Sequence, residues 1–212
     1  MAYTDEETLR LYLLMYRHYC IEGRTELMLD EPFELPHIEN SDFEYGLTGW
    51  ECKPASEGSI TRGYIDGFSL LSQRYWPIYK GDTFASMKRS AQGPNRISQK
   101  VKALEPGRLY TLKLIAADLT HIDQNEKPAM QVALDGVEVV EALSFSEVFT
   151  GGVKAPGFGA NYGTMYRIVF RAKRNEADLT ISDWATDQQP GGQPDQELVC
   201  NYVQVRPYHP AL

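Results

Sequence analysis

The chain has 212 residues, of which 42% are hydrophobic and 24% charged, a balance that can fill a sizeable globular core. Its 21 Lys and Arg stand against 29 Asp and Glu, and a net charge of -8 argues against a nucleic-acid surface. No apolar run reaches the ~20 residues that a membrane span needs, and the acidic opening MAYTDEETLR lacks the basic start of a secretion leader.

Residues 4–22 read as a helix. Thr4 and Glu7 form a capping box, with Asp5 and Glu6 where the helix dipole favours acids. Leu9, Leu13, Tyr16 and Cys20 make one stripe, and Gly23 fits the position past its end. Such a stripe must lie against something: the domain that follows, or a preceding one of which this helix is the tail. Residues 24–37 carry Pro32, Pro36 and many acids, and read as a linker or an extended strap.

From Ile38 the texture changes to short alternating segments, expected as strands at 38–44, 48–53, 59–65, 83–89, 96–104, 108–118, 129–134, 137–141, 165–173, 177–183 and 198–206. The clearest lie between Asn95 and Asp118. Ile97, Gln99, Val101 and Ala103 share one face; after Glu105-Pro106-Gly107-Arg108, so do Tyr110, Leu112, Leu114 and Ala116. Each has one oily face, so a second sheet must cover it. Asp135-Gly136 between two apolar runs is the strongest hairpin signal. The expectation is an all-β antiparallel sandwich over 38–212, preceded by the helix and linker of 1–37.

Three connections are too long for turns: 66–82, 142–164 and 184–197. Of the three cysteines, only Cys52 and Cys200 fall together on expected strands, so a single bridge would join those two; three widely spaced cysteines make no disulfide scaffold or zinc site.

Three stretches resemble one family. Ile38 to Trp50, IENSDFEYGLTGW, is similar to the opening of carbohydrate-binding modules with the galactose-binding-like jelly roll. Ile97-Ser98-Gln99-Lys100-Val101, then Leu104-Glu105-Pro106-Gly107 and Tyr110-Thr111-Leu112, resembles their central pair; VCNYVQVRP, 199–207, resembles the closing strand. The resemblance covers roughly 38–207. It implies a jelly roll that binds polysaccharide or oligosaccharide beside a linked catalytic domain, in an extracellular or periplasmic protein. It also implies a structural calcium between first and last strands, with Glu44 and Asn201 at the family's positions. Asn201 departs from the usual Asp and withdraws a charge.

Sugars are held by flat aromatic faces, with polar side chains fixing the hydroxyls. Arg74-Tyr75-Trp76 in the first long connection is the leading platform, followed by Trp184 and by Asn161-Tyr162. Two rival readings stand beside this one. One is a structural sandwich whose aromatics are all packed. The other is a glycosidase or lyase, which would need acids converging in a cleft. Gly157-Phe158-Gly159 lacks the spacing and the following helix of a dinucleotide loop. His18, His37, His121 and His209 are too scattered for a metal cluster or triad.

Overall fold

The computed structural model describes residues 37–65, 68, 82–150 and 161–208. The expected helix over 4–22, the residues 24–36 of the strap and the Arg74-Tyr75-Trp76 platform lie outside the described residues.

Eleven strands are described: β1 (Glu51–Lys53), β2 (Ile60–Tyr64), β3 (Thr83–Lys88), β4 (Arg96–Val101), β5 (Leu109–Asp118), β6 (Gln131–Asp135), β7 (Val137–Val139), β8 (Phe145–Thr150), β9 (Tyr162–Ala172), β10 (Ala177–Ser182) and β11 (Glu197–Pro207). The smaller sheet runs β1-β4-β10-β6. The larger runs β2-β3-β11-β5-β9-β7, with β8 also on β9. Every pairing is antiparallel, and the whole is a β-sandwich of the jelly-roll kind.

Alternation explains the layers. Val101, Leu112 and Leu114 are 0%, 1% and 0% exposed, and they belong to one core with Ile97, Tyr110, Phe170, Leu179, Ile181 and Val205. Burying a Leu side chain contributes roughly 1.5–3 kcal/mol, so this shared interior outweighs any single surface contact.

The connections differ from the expectation in an informative way. β4 and β5 lie in opposite sheets, so Pro106-Gly107 forms an arch across the core; Gly107 adopts φ +87° and donates to Ala172 O at 2.7 Å. The same holds for Asp135-Gly136. Its flanking strands pair with β10 and β9 respectively, so it is a corner between sheets and not a hairpin. A tight turn with φ +84° at Gly136 suits either geometry, and only the partner strands decide.

Two further expectations are corrected. The segment 38–44 is a series of turns, because Asn40 uses its amide on the backbone: Nδ2 donates to Gly46 O and Thr48 O, and Oδ1 accepts from Tyr45 N. Those turns hold the Phe43 ring 5.2 Å from Trp50, whose indole donates to Asn40 O. The connection 142–164 contains β8 and the start of β9. Between β7 and β8, Ser144 Oγ accepts Val169 N at 2.9 Å and so carries the ladder past a break.

Cys52 and Cys200 are both free thiols. Cys52 stands on an edge strand of the smaller sheet, Cys200 on a central strand of the larger, so the expected bridge does not form. Burial pushes the Cys200 thiol up to about 12.

Candidate functional site

One end of the sandwich is closed by a buried polar network. Asp183 follows β10 and accepts from Asn95 twice, from the backbone N at 2.8 Å and from Nδ2 at 2.7 Å. Asn95 Oδ1 in turn accepts from Ser59 Oγ and Ala55 N. Arg89, just past β3, donates to Asp183 O at 2.8 Å, to Ala129 O at 2.6 Å and to Gln196 Oε1. Gln196 Nε2 reaches Asp118 Oδ2 at 2.9 Å, and that carboxylate also meets His121 Nδ1 at 2.9 Å. Burial raises the Asp183 carboxyl, against the pull of Asn95 and Arg89; burial likewise lowers Arg89. All three residues Arg89, Asn95 and Asp183 are shut from solvent, so they fix geometry and offer no reactive group.

This network places two stretches around a shallow groove of about 430 Å³. Its lining is Gln131 at the start of β6 with Thr186, Asp187, Gln188 and Gln189 from the loop after β10. Thr186 Oγ1 accepts from the backbone of Gln188 and Gln189, which turns both side chains outward from a tight loop. Arg96 holds Asp187 at 3.1 Å. Three amides present both donors and acceptors, the complement of a sugar hydroxyl. In the sequence, the loop half of this site fell inside the long connection 184–197, while Gln131 and Arg96 lie on strands and carried no signal.

The sequence candidates fall elsewhere. Trp184 is 8% exposed, with its indole N–H donating to Ser90 O at 3.0 Å. Its ring packs into the sandwich end. Asn161 is buried. Tyr162 opens β9 half-buried, its N donating to Ile122 O at 2.8 Å. The structure brings none of these into the groove lining.

At the positions where the resemblance implies a structural calcium, Asn201 is buried, its Nδ2 donating to Thr83 O and its Oδ1 accepting from Tyr202 N, each at 2.6 Å. A hard cation takes about six to eight oxygens, and Glu44 brings one carboxylate. Among the described residues no group of three or more His, Cys, Asp or Glu is placed to hold a metal ion.

The sequence matches no protein-family model and no curated protein. Among solved structures, the chain is similar to the enzymatically active domain of tailspike protein 4 of bacteriophage CBA120, at TM-score 0.49 and 10% identity, over 81% of this chain and 21% of that one. It thus spans about a fifth of the tailspike's length. It is also similar to TmCBM61 in complex with β-1,4-galactotriose (TM-score 0.44, 11% identity, 81% of this chain and 98% of that one). A CBM4 structure follows (TM-score 0.35, 10% identity, 81% and 99%).

Proposed function

We propose that this chain is a non-catalytic carbohydrate-binding module, an accessory domain of a larger carbohydrate-active protein outside the cytoplasm. The observation that carries this reading is the amide-lined groove of Gln131, Thr186, Asp187, Gln188 and Gln189 on a rigid sandwich end. The loop backbone is pinned by Thr186, so a shallow polar groove can retain a polymer through many weak contacts. The aromatic face of the reading is Tyr75-Trp76, kept from the sequence.

Against catalysis at the groove stands the engagement of its two nearest aspartates. Asp183 is buried on Asn95, and Asp187 is paired with Arg96. A second reading, a structural sandwich without ligand, is favoured by one observation: Trp184 is packed where a platform was expected.

Affinity electrophoresis of the full chain in gels containing neutral polysaccharides separates the two. Retention by at least one polymer is expected, weakened about tenfold in Gln188→Ala/Gln189→Ala and in Trp76→Ala, since a lost hydrogen-bond pair or stacking face costs about 1–2 kcal/mol. Unretarded migration in every polymer would leave the structural reading standing.

A further inference from the structure

The outer face of the larger sheet carries an unneutralised pair of cations. Register sets Gln204, Lys113, Arg167 and Phe145 side by side on β11, β5, β9 and β8. Lys113 and Arg167 are therefore direct cross-strand partners, and like charges so placed repel. Among the described residues neither makes an ion pair or a hydrogen bond, and Arg167 Nε is buried with no partner. Glu147 shares the face two residues along β8 and forms no ion pair with either. Arg206 adds a third cation to this face, donating to Gln204 Oε1 at 2.7 Å. In a chain of net charge -8, acids to neutralise these cations were plentiful.

Aromatic rings border the pair. The Arg167 guanidinium carbon lies 5.7 Å from the Phe145 ring centroid and 5.9 Å from that of Tyr208. These contacts hold the guanidinium in one place, while Phe145 stays 43% exposed and Lys113 is open to solvent. An acceptor arriving here would meet one held guanidinium, one ammonium on a free stem and a flat apolar edge.

We infer that this face is a second binding site, for an anionic saccharide, with a sugar carboxylate or sulfate between Lys113 and Arg167 and the adjoining ring against Phe145. Charge complementarity selects the anion, and the exposed ring beside the charge selects a sugar over a bare ion. The net negative charge repels a polyanion as dense as nucleic acid, whereas one charge per sugar ring is accommodated locally. The inference takes its ligand class from the proposed function but shares no residue with the groove.

The test is calorimetric titration of the full chain with three probes: tri-galacturonate, a sulfated trisaccharide and an uncharged trisaccharide. Binding of an anionic probe is expected, and the arm that binds names the anion. Lys113→Met and Arg167→Gln should each weaken it about tenfold, and about 1 M salt should abolish it. Lys113 is exposed, so its variant stays folded, which a thermal melt verifies. Unchanged anionic affinity in folded Lys113→Met overturns the inference, as does binding of the uncharged probe alone; the second result leaves the groove reading intact. Binding of no anionic probe also overturns it, while the groove reading stands or falls by the polysaccharide gels.

Discussion

At the scale of single residues, several buried polar side chains bond to the chain's own backbone. His37 is the clearest case with a measurable consequence. Its ring is buried, Nδ1 meets Lys102 O at 2.8 Å, and its edge points at Tyr110, 5.3 Å between centroids. Burial holds the imidazole below its usual 6.5, against the Lys102 contact. A base whose folded value is depressed binds fewer protons folded than unfolded. Its contribution is therefore fully present above pH 6.5 and lost as pH falls below it. Urea unfolding of the wild type should show a fall in stability between neutral and mildly acidic pH that His37→Gln lacks; parallel curves for the two would remove His37 as the cause. Asn40, Asn95 and Asn201 show why site residues were hard to read. An Asn side chain reads as a solvent-facing or ligating group, yet each of these is buried on backbone atoms, and no one-dimensional pattern records which atoms those are.

At the scale of elements, alternation located most strands but not their partners. The inward faces of β4 and β5 came directly from Ile97, Val101, Leu112 and Leu114, because period 2 is a local property. Which sheet each joins is not local, so Asp135-Gly136 looked like a hairpin while serving, as the Pro106-Gly107 turn does, as a corner. β8 was hidden because both of its faces are part exposed and its pairing to β9 runs along a sheet edge. One element also shows packing that the sequence could not. Gly63 on β2 sits opposite Phe84 on β3, and a Cβ there would overlap the Phe84 ring. That ring stacks 4.6 Å from Phe68 in a second, outer cluster with Ala117, Ile122 and Val199. The glycine is what lets the ring lie flat across the strand pair. Gly63→Ala should therefore displace Phe84 and cost about 1–3 kcal/mol, read as a lower denaturant midpoint with unchanged slope. Gly93→Ala, where a Cβ meets nothing within 4 Å, is the control and should not shift it.

At the scale of the whole molecule, the two sheets are joined by their oily interior and by one cation. Arg89 leaves the larger sheet after β3. It donates to Asp183 O, which follows β10 of the smaller sheet, to Ala129 O just ahead of β6, and to Gln196 Oε1 just ahead of β11. A guanidinium can serve three acceptors in fixed directions; an ammonium on a flexible stem cannot hold the same fork. Its charge also faces the buried Asp183 carboxylate, which the sequence placed at the end of the strand expected over 177–183. Removing it would leave a buried anion and three orphaned acceptors, a loss of about 3–5 kcal/mol. Arg89→Met is close in volume, so little of that loss would come from a cavity, and Arg89→Lys should recover only part of it. The same clamp sets the groove, because Ala129 lies two residues before Gln131 and Asp183 three before Thr186. Amide exchange then separates a local role from a global one. If Arg89 is the tie, Arg89→Lys under native conditions will speed exchange at the Trp184 indole and at Gln188 and Gln189 while the β5–β9 amides stay protected. Uniform acceleration across both sheets would instead make Arg89 an ordinary contributor to global stability, with no special hold on the groove.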